Sequence, residues 1–159
     1  MPPLTLITGG SRGLGRNTAL SLARKGGDVL ITYRSRADAA DAVITEIEAL
    51  GRKARALQLD TSEPSRFPAF ADSVKAALQE TWNRSSFDHL VNNAGEGINV
   101  PLAEIREAQF DTLFSVHVKG VLFLTQTLLP LIADGGLTLT DYPSRPFLEQ
   151  RGHVLKSQD

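Results

Sequence analysis

The stretch Thr-Gly-Gly-Ser-Arg-Gly-Leu-Gly, residues Thr8–Gly15, decides the fold of this chain. It follows a short apolar run, Leu4–Ile7, and leads into a helical pattern of apolar residues. A strand, a glycine-rich turn and a helix in that order present backbone N–H groups and the positive end of a helix dipole, where a phosphate binds well. The glycine spacing differs from the common Gly-x-Gly-x-x-Gly fingerprint, so by itself it is equally compatible with a tight turn that binds nothing.

Length, composition and charge favour one soluble globular domain. The chain has 159 residues, of which 42% are hydrophobic, a net charge of -1 and no cysteine. These values exclude a disulfide framework and give no reason to expect nucleic acid as a partner. The N-terminus lacks the basic and apolar regions of a signal peptide, and the most apolar run, Val121–Ile132, is too short to span a bilayer. We therefore expect a cytoplasmic location and no membrane partner.

Strand-like and helix-like segments alternate along the chain. Strands are predicted at 4–8, 29–33, 54–59 and 87–91, and residues 137–140 are a candidate fifth strand. Helices are predicted at 11–25, at 38–50, from a cap at Ser62 onwards, and at about 108–132, where Pro130 kinks or ends the helix. The predicted buried face of this last helix consists of Phe110, Leu113, Phe114, Val121, Leu124 and Leu128. Such alternation predicts an α/β fold with a doubly wound parallel sheet.

Small, polar or charged residues follow each predicted strand. In such sheets, ligands bind beyond the carboxyl ends of the strands. The glycine turn follows the first strand, and the next three are followed by Arg34-Ser35, Asp60-Thr61 and Asn92-Asn93-Ala94-Gly95. Each segment also has an ordinary structural explanation, as a solvated arginine, a helix cap or a turn. Their convergence on one edge of the sheet favours a single binding crevice.

Three of these segments, two of them signatures in register, resemble the short-chain dehydrogenases/reductases, and within that family the 3-oxoacyl-acyl-carrier-protein reductases. The turn Thr8–Gly15 is similar to the family's cofactor turn, Asn92–Gly95 to its second signature, and Asp60 to the acid placed near the adenine ring. The resemblance covers roughly residues 4–134 and implies a Rossmann-type sheet that binds a nicotinamide dinucleotide. The cofactor-binding residues that it implies are Gly9, Ser11, Arg12, Gly13, Leu14, Gly15, Arg34, Ser35, Asp60, Thr61, Asn92, Asn93, Ala94 and Gly95.

The residues after the second strand predict which dinucleotide is bound. An acid at this corner would hydrogen-bond the ribose 2′-hydroxyl of NAD, but the corner reads Thr32–Arg36 and holds no acid before Asp38. Arg34, together with Arg12 from the glycine turn, is suited to hold a 2′-phosphate by charge-assisted hydrogen bonds. We therefore expect NADP(H) to be preferred over NAD(H).

The catalytic pattern of the family is incomplete in this chain. In the family, a tyrosine acts as general acid or base, and a lysine four residues later lowers its pKa. The chain has two tyrosines, Tyr33 and Tyr142, and the residues four positions later are Ala37 and Pro146, so no Tyr-x-x-x-Lys exists. The family's helix asparagine falls on His117, which is equally compatible with a packed or solvated helix histidine.

Two classes of function follow from these residues. The first is an NADP(H)-dependent oxidoreductase that transfers hydride between nicotinamide and a small carbonyl or alcohol substrate, in a chain that lacks the Tyr–Lys pair. The second is a non-catalytic NADP(H)-binding or interaction module. A P-loop nucleotidase is disfavoured because no Lys-Ser or Lys-Thr follows Gly15, and a metal site because the three histidines lack ligand spacing. Residues 96–99 are candidates for substrate contact.

The character of the sequence changes after Gly136. Residues 1–136 are predicted to form an incomplete dinucleotide-binding domain whose sheet is truncated after the fourth or fifth strand, and residues 137–159 an atypical tail of unrelated sequence. A frameshift, splice variation or truncation would explain the change, and the other reading frames of the coding DNA test the first of these. Because such a sheet leaves apolar surface unpaired, we expect low solubility or a homo-oligomer through the 108–132 helix.

Overall fold

Five strands that alternate with helices form the frame of the molecule. The structure is a computed structural model that describes residues 1–140. The strands are β1 (Leu4–Ile7), β2 (Asp28–Tyr33), β3 (Ala54–Gln58), β4 (Phe87–Asn92) and β5 (Ile132–Thr140). The helices are α1 (Gly13–Arg24), α2 (Ala37–Ala49), α3 (Phe67–Trp82), α4 (Glu107–Phe114) and α5 (Val121–Leu128).

The five strands form one parallel sheet in the order β3-β2-β1-β4-β5. β1 is the middle strand, and its Leu6 pairs with Leu30 of β2 and Leu90 of β4. The strand order reverses between β1 and β4, and a crevice opens beyond the carboxyl ends at such a point. The predicted α/β fold, a Rossmann-type doubly wound sheet, is confirmed, with five strands in the part of the chain that the structure describes.

Apolar layers cover both faces of the sheet, as expected for parallel strands. Successive side chains of β1 point to opposite faces, so Leu4 and Leu6 pack with α3 and α5, whereas Ile7 packs with α1 and α2. Phe67 and Phe87 are fully buried in the first of these layers. Because helices occupy both faces, the carboxyl edge of the sheet is where a ligand reaches the strands.

The start of α3 differs from the prediction. Ser62 does not cap this helix, because its hydroxyl donates to Asp60 Oδ1 over 2.6 Å. A short 3₁₀ turn, Pro64–Arg66, precedes α3 instead. A proline at the start of a helical turn has φ already set and has no N–H that needs a partner. The prediction of a cap at Ser62 is therefore wrong.

The helix predicted at 108–132 consists of consecutive helical segments. A π-helical turn, Ser115–Gly120, joins α4 to α5, and a 3₁₀ turn that contains Pro130 ends the stretch. Pro130 therefore ends the helix as predicted. A Cβ at Gly120 would collide with the carbonyl oxygen of Thr61, so this glycine lets the helix approach the loop after β3.

The predicted buried face of this helix is correct at Leu124 and Leu128 and wrong at Phe110 and Phe114, while Leu113 and Val121 are partly buried. Leu124 and Leu128 of α5 are buried in the core. Phe110 and Phe114 of α4 are 57% and 50% exposed, and their rings stack with centroids 5.8 Å apart. Apolar periodicity identifies an apolar face but does not identify the surface that covers it, and α4 has no buried residue.

The continuous helical stretch Glu107–Leu131 is longer than the apolar run considered in the sequence. By length and composition alone it is apolar enough to cross a membrane. Glu107, Asp111 and Lys119 place charges within it. A helix that covers the sheet of a soluble protein passes the same test, so this property by itself is weak evidence for a membrane span.

β5 begins earlier than the strand predicted at 137–140. It starts at Ile132, directly after the turn with Pro130, and its pairing with β4 extends to Thr140 with one irregularity between Phe87 and His89. Residues 137–140 are therefore part of the sheet. Residues 141–159, on which the rest of the predicted tail and Tyr142 fall, lie outside the described residues.

Two carboxylates fasten the amino ends of the strands, opposite the crevice. Asp28 is buried and accepts hydrogen bonds from the Trp82 indole and the Lys53 backbone N–H. Asp88 accepts two hydrogen bonds from the Arg84 guanidinium, at 2.8 and 2.9 Å, and one of 2.7 Å from the Leu4 backbone N–H. The hydrogen bonds from Arg84 hold the pKa of Asp88 below its usual value, although partial burial acts in the opposite direction.

We predict that Asp88→Asn lowers the free energy of unfolding by about 1.5–3 kcal/mol, because charged hydrogen bonds to Arg84 are lost at a partly buried site. Since the folded pKa of Asp88 is depressed, this contribution is present above the ordinary carboxyl pKa and is lost as pH falls through the folded pKa. Urea unfolding at neutral and acidic pH measures both effects. Asp72→Asn, at an exposed helix position, is the control; an equal loss in the two variants would contradict the prediction.

Candidate functional site

A polar crevice lies beyond the carboxyl ends of β1, β2, β3 and β4. Its volume is about 800 Å³. All of the predicted cofactor-binding residues except Gly15 and Asn92 line it. The wall also includes Glu96 and Gly97, which were candidates for substrate contact, and residues that were not predicted, namely Thr32, Tyr33, Arg36, Ala39, Leu59 and Val116. The structure therefore brings the four strand-end segments to one site.

Thr8 and Asn93 join the glycine turn to the loop after β4. The Thr8 hydroxyl oxygen accepts hydrogen bonds from the backbone N–H groups of Asn93 and Ala94, at 3.0 and 2.9 Å. The Asn93 side-chain amide donates in return to the carbonyl oxygens of Thr8 and Gly9, at 2.9 and 3.1 Å. We call this reciprocal set of contacts the Thr8–Asn93 clamp.

Thr32 extends the connection to the end of β2. Its hydroxyl oxygen accepts a hydrogen bond of 3.1 Å from the Gly9 N–H, and its carbonyl oxygen accepts one of 2.9 Å from the Gly10 N–H. The ends of β1, β2 and β4 are therefore tied together by hydrogen bonds between neighbouring loops. Such a network fixes the shape of the turn before any ligand binds.

The glycines of the turn are required by its geometry. Gly9 has φ +67°, a left-handed conformation that suits glycine. A Cβ at Gly15 would collide with the Gly9 carbonyl oxygen and the Asn93 amide, so Gly15 packs beneath the turn and does not line the crevice. No side chain caps the first turn of α1, which leaves its N–H groups available to a bound anion.

The corner after β2 carries two arginines with different partners. Arg36 forms a two-pronged ion pair with Asp38, and this hydrogen bonding holds the pKa of Asp38 at about 2. Asp38, the first acid after β2, is therefore already paired with Arg36. Arg34 lies in the crevice wall with its Nη1 3.5 Å from Glu96 Oε2, and its side chain is 56% exposed.

Asp60 follows β3, which neighbours β2 in the sheet, so it lies in the crevice wall on the same side as Arg34. Partial burial raises the pKa of Asp60. The hydrogen bonds from the Ser62 hydroxyl and backbone N–H and the positive charges of Arg34 and Arg66 together lower it by more than burial raises it, so the pKa of Asp60 is below its usual value. The Asp60 carboxylate is therefore available as a hydrogen-bond acceptor at the edge of the crevice.

Asn92 and His117 do not line the crevice. The Asn92 side chain is buried and its amide donates to Thr125 Oγ1 of α5 over 3.1 Å. His117 Nε2 lies 2.7 Å from the carbonyl oxygen and 3.2 Å from the backbone nitrogen of Glu96. A Cβ at Gly95 would lie 2.7 Å from the His117 ring, so this glycine admits the imidazole. His117 thus supports the loop after β4.

Three residues shape the site in ways that the sequence did not predict. Thr8 was placed at the start of the cofactor turn and Thr32 in the second strand, but the sequence did not predict that their hydroxyls hold the turn. A threonine at or next to the end of a buried strand is the signal that could have indicated this role. Glu96 was considered only for substrate contact. No local pattern indicates that it meets Arg34. Within residues 1–140, no group of three or more histidine, aspartate or glutamate side chains is placed to hold a metal ion.

Comparison with known families gives one match over most of the chain. The short chain dehydrogenase family matches residues 3–137. A 3-oxoacyl-[acyl-carrier-protein] reductase FabG of Staphylococcus aureus is 36% identical over 131 residues, which are 82% of this chain and 50% of that protein. The tetrahydroxynaphthalene reductase PfmaG of Pestalotiopsis fici is 33% identical over 133 residues, 84% of this chain and 46% of that protein. The chain spans about half the length of these relatives.

Solved structures agree with the sequence matches. A short chain dehydrogenase from Burkholderia cenocepacia, in complex with NADP, has a TM-score of 0.76 and 36% identity, and the match covers 87% of this chain and 54% of that chain. The landomycin C-6 ketoreductase LanV, with bound NADP and rabelomycin, has a TM-score of 0.82 and 31% identity over 87% of this chain and 56% of that chain.

We predict that Thr8→Val lowers the free energy of unfolding by about 1–3 kcal/mol, because the Asn93 and Ala94 N–H groups lose their acceptor while the side-chain volume is kept. Chemical denaturation measures the loss. Thr45→Val is the matched control, since its exposed hydroxyl only donates to the carbonyl oxygen one helical turn earlier. A Thr8→Val loss no larger than that of the control would refute the role of the clamp.

Proposed function

The chain belongs to the short-chain dehydrogenase family, and we propose that its described residues form the NADP(H)-binding part of an oxidoreductase. The reaction proposed for the family fold is hydride transfer between nicotinamide and a carbonyl or alcohol carbon of a small molecule. The observation that carries the proposal is the crevice in which the Thr8–Asn93 clamp holds the glycine turn against the loop after β4. The likeness to NADP complexes supports it.

The residues of the crevice fit a dinucleotide. The uncapped first turn of α1 and the glycine turn offer N–H groups to a pyrophosphate, and absent side chains at Gly9 and Gly13 let it approach the backbone. The Asp60 carboxylate is suited to accept a hydrogen bond from an adenine amino group. When bound, the nicotinamide ring would supply the hydride chemistry. The protein residues bind and orient the cofactor.

Arg34 and Arg12 support a preference for the 2′-phosphate of NADP(H). Both line the crevice, and the corner after β2 offers no free acid to a 2′-hydroxyl because Asp38 is paired with Arg36. A guanidinium binds a phosphate through two parallel charge-assisted hydrogen bonds. We propose that these two arginines select NADP(H) over NAD(H).

Catalysis is the point on which the two candidate functions differ. The sequence contains no Tyr-x-x-x-Lys, and His117, at the position of the family's asparagine, contacts the backbone of Glu96 and does not line the crevice. The tyrosine–lysine pair that the family uses for proton transfer is therefore missing from this sequence. The alternative function, a non-catalytic NADP(H)-binding or interaction module, is favoured by this specific observation.

A second copy of this chain is the partner that we propose for α4. The stacked Phe110 and Phe114 form an exposed apolar face, and large exposed apolar faces are typical of protein interfaces. In the family that the sequence resembles, the long helix lies in a subunit interface. An antiparallel pair of such helices around Ser115 would place Asp111 of one copy opposite Lys119 of the other, which gives complementary charges.

We predict that NADPH binds at least about tenfold more tightly than NADH, since only NADPH offers a phosphate to Arg34 and Arg12. A titration monitored by the fluorescence of the reduced nicotinamide measures the dissociation constants of NADPH and NADH. Arg34→Ala should weaken NADPH binding selectively, whereas Arg24→Ala, an exposed arginine at the end of α1, should change neither constant. A tenfold preference for NADH would refute the assignment.

Binding without oxidation of NADPH by a panel of ketones would favour the non-catalytic module, and turnover would favour the oxidoreductase.

For the interface, we predict that the chain sediments as an oligomer and that Phe110→Glu combined with Phe114→Glu shifts it towards the monomer, because two charges would be buried without partners. Analytical ultracentrifugation over a range of concentrations measures the shift. Leu102→Glu, which also changes an exposed apolar residue but lies outside α4, is the control. A wild-type chain that is monomeric throughout would contradict the proposal.

A further inference from the structure

An ion pair spans the mouth of the crevice. Arg34, after β2, and Glu96, in the loop after β4, approach to 3.5 Å between Nη1 and Oε2. The two strands are not neighbours in the sheet, because β1 lies between them. The pair therefore crosses the space above β1, over the glycine turn. Arg34 is the residue that the proposed function assigns to the 2′-phosphate.

The backbone on both sides of this ion pair is held in place. The Gln58 side-chain amide donates to the Arg34 carbonyl oxygen over 2.9 Å. The Glu96 backbone is held by His117 Nε2, 2.7 Å from its carbonyl oxygen, and Gly95 leaves room for the imidazole ring. The two side chains therefore start from fixed positions on opposite sides of the crevice, and their meeting follows from the fold.

We propose that Glu96 is a specificity-determining residue that weakens the preference of this site for NADP(H). The proposal rests on the proposed function, in which Arg34 receives the 2′-phosphate. The Glu96 carboxylate is the resident counter-ion of Arg34. A 2′-phosphate must displace it from the guanidinium and is repelled by it, whereas the uncharged 2′-hydroxyl of NAD(H) meets neither cost.

A second carboxylate near Arg34 also competes for its positive charge. Asp60, which follows β3 on the same side of the crevice as Arg34, also interacts with the positive charge of Arg34. Arg34 therefore interacts electrostatically with two carboxylates, those of Asp60 and Glu96. Asp60 is tied by two hydrogen bonds to Ser62, so its position is set by its own turn, and Glu96 is the acid that a phosphate would replace.

The expected size of the effect follows from exposure. The Arg34 and Glu96 side chains are 56% and 38% exposed, so water and salt screen the pair. Ion pairs this exposed change an equilibrium constant by no more than about fivefold. Glu96 is therefore expected to narrow the selectivity of the site without reversing it, and the effect should shrink at high ionic strength.

The test replaces Glu96 with its uncharged isostere. In the full chain, Glu96→Gln should lower the dissociation constant for NADPH about two- to fivefold and leave that for NADH unchanged, as measured by fluorescence titration at low salt. In an Arg34→Ala background the gain from this substitution should be smaller, because no guanidinium remains to be released and only the repulsion between Glu96 and the phosphate is relieved. Glu104→Gln, an exposed acid outside the crevice, is the matched control and should change neither constant.

The outcomes separate this proposal from the function on which it rests. NADPH binding that is unchanged or weaker in a folded Glu96→Gln chain, while the wild type binds NADPH through Arg34, overturns the role of Glu96 alone. Weaker NADH binding would instead identify Glu96 as a ribose-binding acid, and an equal gain for both dinucleotides would identify an effect on the loop; each overturns the proposal. A wild-type chain that binds neither dinucleotide overturns the proposed function and this proposal with it.

Discussion

The structure depends on the Thr8–Asn93 clamp, in which the end of β1 and the loop after β4 satisfy each other's backbone groups. Parallel strands that end side by side leave N–H and carbonyl groups without sheet partners, and burial without hydrogen bonds would be costly. The Thr8 hydroxyl and the Asn93 amide provide those partners. The same contacts hold the glycine turn open, so one network stabilises the sheet edge and shapes the crevice.

Charge organisation around the crevice follows from which acids are already engaged. Arg36 forms an ion pair with Asp38, the first acid after β2, and Ser62 orients Asp60 through a hydrogen bond. Arg34 is left facing the crevice with Glu96 as its partner from the opposite loop. This corner is not simply basic, because the Glu96 carboxylate partly offsets the positive charge of the Arg34 guanidinium. In the proposed NADP(H) site, selectivity for a phosphate would therefore depend on a competition between anions as well as on the presence of an arginine.

Family membership and catalytic chemistry rest on different parts of the chain. The residues that match the short chain dehydrogenase family, 3–137, supply the sheet and the crevice. The Tyr-x-x-x-Lys that the family uses for proton transfer occurs nowhere in the sequence. His117 illustrates the distinction, since the structure gives it a role in supporting the loop at Glu96. A cofactor crevice can form without a proton donor because backbone amides and glycines build it.

Apolar runs, glycine turns and strand-end residues were sufficient to predict the parallel sheet and the edge at which the crevice opens, because these depend on local periodicity and on the handedness of strand–helix connections. Only tertiary structure decided which asparagine faces the crevice. Asn92 and Asn93 are adjacent, but the end of a strand turns them in different directions, one to Thr125 and the other to the glycine turn. It also decided that Arg34 meets Glu96 and that Phe110 lies exposed. These outcomes depend on distances between segments far apart in the chain, about which local patterns carry no information.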